Sequence, residues 1–153
     1  MVDGKSYWSI PTWKIFHGIA EKVDETYYNQ NYKFVFGIIK YICNNLPCPY
    51  CRKEASFIID RVKVDSVNTK EKFKNYMFNF HNIVNQKLRK KVFSKEYLKN
   101  YEKVNIGQDI LLFDKRFFRK YGGIRMFTQQ ITQNKVQKIL RRNFNTLYPH
   151  LKK

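Results

Sequence analysis

Cys48-Pro49-Tyr50-Cys51 sets two thiols three residues apart, directly after Pro47. The thiolate is the reacting form in disulfide exchange, and the positive end of a helix favours it. Pro47 ahead of the motif and helix-forming residues behind it put both sulfurs on a first turn, close enough to bond. Two other segments carry polar groups at helical spacing. Trp13 and His17 share a face at i, i+4. His81 and Asn85 share one at i, i+4, and Asn82 and Asn85 at i, i+3. If buried, these groups need partners, which the edge of a heteroaromatic ring can supply. Lys87, Arg89, Lys90 and Lys91 follow at once and can neutralise a pyrophosphate. Trp13, Phe93, Tyr97 and Tyr101 can stack on flat rings.

Simpler readings compete. The dithiol with His17 and His81 could hold a structural zinc, although zinc sites usually bring two closely spaced ligand pairs. The CPYC sequence also suits a glutaredoxin-like reductase, with Phe34 to Ile42 as the preceding strand. That fold needs a cis-proline strand downstream, and the only proline after Pro49 is Pro149. Two inert buried cysteines are a third alternative. Taken singly, the other residues read as a satisfied histidine, capping asparagines and a solvated lysine run. Cys43 lies across the Asn44-Asn45-Leu46-Pro47 break and reads as a small buried hydrophobe.

The elements that must position these groups are helical. Pro11 is expected to open the first helix, with Trp13, Phe16, His17 and Ala20 on one face. A polar turn is expected around Asn29-Gln30-Asn31. Phe34 to Leu46 is long enough for a helix, though its β-rich composition leaves a strand open. A helix starts near Cys48 and runs through Ile59. Asn68, with Glu71 three residues on, is expected to cap the next helix. Phe73, Tyr76, Met77, Phe80, Val84 and Leu88 form its apolar face, and Lys87 to Lys91 form its basic stop. A short helix follows over Lys95 to Lys103. Gly122-Gly123 separates two further helices, about 108–121 and 127–144.

Composition bounds the rest. A chain of 153 residues makes one domain with an appendage. Aromatics at 17% are many, while six Gly and four Pro argue against an all-β or loop-rich chain. No apolar run is long enough to span a bilayer, and Met1 to Ser6 lack a signal-peptide core, so the chain is expected to fold where it is made. Three cysteines do not form a secreted disulfide framework. The net charge is +18; residues 104–153 carry 11 basic and 2 acidic groups, about twice the charge density of residues 1–103. Such a surface suits anionic partners, nucleic acid included, and also reads as a solvated basic face. Phe113, Phe117, Phe118, Ile124, Phe127, Ile131 and Leu140 are too many apolar groups for a disordered arm, so residues 104–153 are expected to fold as helices.

The order Trp13-x-x-x-His17, Cys48-x-x-Cys51, His81-Asn82-x-Val84-Asn85-x-Lys87-Leu88-x-Lys90 resembles the Erv/ALR-type FAD-linked sulfhydryl oxidases, in particular the short members of large DNA viruses. Ser94-Lys95-Glu96-Tyr97 and Tyr101-Glu102 extend the likeness, which covers about residues 7–103. The resemblance implies an all-α fold: a four-helix bundle with a short fifth helix as an FAD-binding oxidase domain over 1–103, followed by a basic helical extension over 104–153. It implies that Cys48 exchanges with substrate thiols and that Cys51 lies next to the flavin. Trp13, His17, His81, Asn82, Asn85, Lys87 and Lys90 would hold the FAD, with Phe93, Tyr97 and Tyr101 as aromatic contacts and no metal. Electrons would pass from a thiol-containing protein, a viral thioredoxin-like protein among the candidates, to dioxygen, releasing hydrogen peroxide. It further implies a homodimer and a place in the host cytoplasm, at the viral factory, and in the virion; nucleic acid is a compatible but unrequired partner. Cellular members carry a second, shuttle cysteine pair, which Cys43 alone cannot form.

Overall fold

The structure, a computed structural model, describes residues 4–119 and 126–153. Helix α1 spans Gly4–Lys22 and encloses Pro11, which does not open it as the sequence suggests. Proline withholds one backbone N–H, which normally breaks a helix interior. Here burial outweighs that loss: Trp8, Pro11 and Thr12 are all buried. Thr12 Oγ1 also donates to the Trp8 carbonyl at 2.6 Å.

Helix α2 covers Glu25–Cys43, with the Asp24 side chain accepting from the Tyr27 N–H at its start. The helix absorbs the polar stretch at Asn29–Asn31 that reads as a turn. Only Asn31 leaves helical geometry (φ −127°, ψ 25°), and its side chain donates back to the Tyr27 carbonyl at 2.9 Å. Tyr28, Val35, Ile38, Ile39 and Ile42 are buried at helical spacing, so the β-branched run forms a helix face and no strand.

Helix α3 covers Pro49–Ile59 and α4 covers Lys70–Lys87, joined through a 3-10 turn at Val64–Val67. The cap of α4 falls one residue later than expected. Asn68 has αR backbone angles, which close the 3-10 turn, whereas Thr69 is extended and takes the Lys72 N–H at 3.2 Å. Glu71 therefore sits too early to complete a capping box. The chain reverses after α4 through Arg89, at φ 56°. A 3-10 segment, Lys95–Tyr101, then leads to α5 over Ile106–Phe117 and α6 over Met126–Leu147. Gly122-Gly123 lies outside the described residues.

The architecture is all-α: helices α1 to α4 pack as a bundle, the 3-10 segment closes one end, and α5 and α6 cover a side. Helix α1 packs against α4, the 3-10 segment and, most extensively, α5. Gly18 permits this approach, because a Cβ there would stand 2.7 Å from Ile106 Cδ1. Phe113, Phe117, Leu140 and Phe144 belong to the same buried cluster as Ile15, Phe16 and Ile19. The C-terminus returns to the α1–α2 corner. Lys152 N–H donates to the Lys22 carbonyl at 2.7 Å, Asp24 N–H donates to the His150 carbonyl at 2.8 Å, and the His150 ring stacks on Tyr27 at 3.7 Å. Among the described residues, no helix is long and apolar enough to cross a membrane.

Phe113 is fully buried between α1 and α6, in contact with the rings of Phe117 and Phe144. Phe113→Ala is expected to lower the unfolding free energy by about 3–5 kcal/mol. Urea denaturation measures this, and a loss below about 1 kcal/mol would show that α5 is not part of the cooperative core.

Candidate active site

The dithiol sits where a helix begins. Cys48 is the N-cap of α3, with extended backbone (φ −92°, ψ 117°), and its Sγ accepts from the Cys51 N–H at 3.2 Å. Pro49 occupies the first turn, where its missing N–H costs nothing. The entry loop is tied down: Arg52 Nε donates to the Leu46 carbonyl at 3.1 Å, and Ser56 Oγ donates to Asn44 Oδ1 at 2.5 Å. Both cysteines are half-buried, and Tyr50 between them is 69% exposed.

Cys51 lines a cavity of about 600 Å³. Its other walls come from Trp13 and Phe16 of α1, His81, Val84 and Asn85 of α4, Phe93 and Tyr97 beyond the reversal, and the start of α5. Cys48 is not among the lining residues, so the two sulfurs stand in different surroundings.

The α1–α4 wall is built around a histidine pair. His17 Nε2 and His81 Nδ1 lie 2.8 Å apart, so one ring donates and the other accepts. Trp13 stacks on His81 at 3.9 Å and 6°, and Tyr101 stacks on His17 at 4.8 Å. Two imidazolium rings cannot share that bond. Burial, then His81, pulls His17 down to about 3; burial, then Lys90, pulls His81 down to about 4. The pair is therefore neutral near neutral pH.

Asn82 points elsewhere. Its Oδ1 accepts from the Phe93 N–H at 2.9 Å and its Nδ2 donates to the Phe93 carbonyl at 3.0 Å. This two-point clamp fixes the reversal after α4 and holds Phe93, whose ring stacks on Tyr97 at 4.0 Å and 3°. Asn85 is buried and lines the cavity, and its Nδ2 has no hydrogen-bond partner. A buried orphan donor is costly unless something accepts from it. Three lysines line the cavity: Lys14, Lys87 and Lys90. Lys87 is paired with Glu54 of α3 at 2.8 Å.

Of the residues singled out in the sequence, Trp13, Cys51, His81, Asn85, Lys87, Lys90, Phe93, Tyr97 and Tyr101 line this one cavity. His17 stands behind His81, and Asn82 shapes the wall through Phe93. Lys14, Glu54, Asn105, Gln108 and Asp109, which belong to no motif of the sequence, also line it. Lys14 adjoins Trp13 on the same helix, a signal that was available; the α5 residues reach the cavity only through tertiary packing. The two histidines face each other and not the cysteines. Among the described residues, no group of three His, Cys, Asp or Glu is placed to hold a metal ion. The described residues contain one isolated β-bridge, Val23 to Leu151, and not the sheet of a glutaredoxin-like fold. The arrangement suits a flat heteroaromatic ligand bearing an anionic group, held with one ring edge near Cys51.

The family model described as Erv1 / Alr family matches residues 10–104. An FAD-linked sulfhydryl oxidase of African swine fever virus, from a Malawi tick isolate, is 32% identical over 98 residues, covering 63% of this chain and 81% of the relative. The protein of the same name from a Kenya pig isolate is 32% identical over 100 residues, with the same coverage. No solved structure matches.

The histidine pair predicts a pH dependence. Unfolded histidines protonate near 6.5, while His17 and His81 resist protonation down to about 3 and about 4 when folded. The unfolded chain binds more protons between those limits, so stability is full above about 6.5 and falls as the pH drops towards about 4. Denaturant midpoints at pH 7 and pH 5 should show this loss, and His17→Gln/His81→Gln should reduce it. An equal loss in the double variant would place the slope in other groups.

Proposed function

The chain belongs to the Erv1/Alr family, and from that membership and the cavity beside Cys51 we propose that it is an FAD-dependent thiol oxidase that forms disulfides in substrate proteins. The observation that carries the reading is the placement of Cys51, from a helix-start dithiol, on the wall of a cavity with an aromatic stack and an orphaned amide donor.

The cavity residues fit FAD. Asn85 Nδ2 lacks an acceptor, which a ring carbonyl or nitrogen supplies. Trp13, Phe93 and Tyr97 offer faces and edges for ring packing. Lys14 and Lys90 bring positive charge to a pyrophosphate. His81, neutral, is held in place by the contact of its Nδ1 with His17 Nε2. Asn82 works by holding Phe93 in place.

The thiol chemistry falls to the cysteines. With Cys48 and Cys51 joined as a disulfide, a substrate thiolate attacks Cys48 Sγ, and the pair of electrons in the S–S bond leaves on Cys51. A second substrate thiol then attacks the mixed disulfide, releasing the substrate as a disulfide and Cys48 as a thiol. The helix N-terminus stabilises negative charge on the sulfurs during both exchanges. FAD, held by Trp13, Asn85, Lys14 and Lys90, would supply the acceptor for the two electrons of the Cys48–Cys51 dithiol, with dioxygen taking those electrons and the two thiol protons as hydrogen peroxide. Tyr50, exposed between the cysteines, gives an apolar contact for the incoming protein. Cys43 also lines the cavity, but it is buried and burial pushes its thiol far up, which disfavours the reactive thiolate.

Cys48→Ser and Cys51→Ser are each expected to abolish oxidation of a model dithiol while retaining the flavin. Cys43→Ser should keep most of the activity. Oxygen consumption and peroxide release measure all three. An inactive Cys43→Ser protein that still holds flavin would overturn the assignment of roles.

A further inference from the structure

The cavity extends past the family match. That match ends at residue 104, yet Asn105, Gln108 and Asp109, from the cap and first turn of α5, line the same cavity as Cys51. Residues 104–153 hold two acidic side chains, Asp109 and Asp114. Asp114 is satisfied: Arg141 binds both its oxygens at 3.0 and 2.7 Å, and Gln137 adds two longer contacts. Asp109 differs, because its Oδ2 is buried without a hydrogen-bond partner. A buried acceptor of that kind is costly unless a ligand supplies the donor.

The ligand donor can be narrowed by charge and place. A carboxyl group does not attract a pyrophosphate, which Lys14 and Lys90 serve. The ring that takes electrons must lie by Cys51 on α3. Helix α3 packs on α2, whereas α5 packs on α1 and α6, so Asp109 belongs to a different wall. Away from Cys51 a dinucleotide offers hydroxyl and amino donors, among them the ribose hydroxyls and the adenine amino group of its adenosine half. Acidic side chains hold ribose hydroxyls in other dinucleotide sites.

Resting on the FAD reading above, we propose that Asp109 is a cofactor-binding residue that accepts a hydrogen bond from the adenosine half of FAD, making α5 part of the flavin site. Partial burial also pushes the Asp109 carboxyl up, with Lys14 acting the other way. The basic extension thus contributes to the site as well as to the surface.

The test uses the full chain, freed of flavin and titrated with FAD or with FMN, which lacks adenosine. Flavin fluorescence reports binding for the wild type, Asp109→Ala and the isosteric Asp109→Asn. Asp109→Ala is expected to weaken FAD binding by about tenfold or more, Asp109→Asn less, and neither to change FMN binding. Thermal melting of the flavin-free proteins confirms that both variants fold. FAD binding unchanged in both variants overturns the proposal, as does an equal loss for FMN. A wild-type chain that binds neither flavin overturns the thiol-oxidase reading as well; FAD binding unaffected by Asp109 overturns this inference alone.

Discussion

The burial of α1 is the constraint on which the rest of the molecule depends. Ile15, Phe16, Ile19 and Ala20 are essentially without exposure, and the helix continues through a buried Pro11. Each large apolar side chain so buried contributes roughly 1.5–3 kcal/mol, which can offset the lost hydrogen bond at proline. Once α1 is fixed, Trp13 and His17 meet α4, and Ile106 and Phe113 meet α1 from the other side. The cavity is the space these contacts leave between α1, α3 and α4. A shift of α1 would move the aromatic stack and the α5 wall together.

Charge plays a narrower part. With 30 basic and 12 acidic residues, most lysines and arginines cannot find a carboxylate. The acidic groups that make short pairs join separate elements: Glu54 with Lys87 between α3 and α4, Asp114 with Arg141 between α5 and α6, Glu21 with Lys74 between α1 and α4. These pairs are half-exposed and open to solvent screening, so each contributes little to stability; they fix orientation. The excess positive charge favours anionic ligands and partners in general.

What could be read from the sequence follows the range of the interactions involved. The dithiol cap was legible because a proline, a cap and a first turn span five residues. The end of α4 was legible because its basic stop is local too. The wall residues of α4 were legible as a set through helical spacing, and His81 and Asn85 do share the cavity. Other features are set by distant partners. Pro11 inside a helix depends on burial supplied by other elements. The use of Asn82 depends on Phe93, eleven residues away across a chain reversal. The α5 wall depends on Gly18 admitting Ile106, a contact that no local pattern announces. The cap at Thr69 in place of Asn68 turned on one residue's backbone angles, below the resolution of a capping pattern.

On this reading the cavity beside Cys51 is a flavin site. The direct measurement is the visible spectrum of the purified full chain, followed by denaturation and mass analysis of whatever it releases. A flavin site there gives a yellow protein that releases FAD in an amount equal to the chain. A colourless protein that releases a metal ion and no flavin would contradict it.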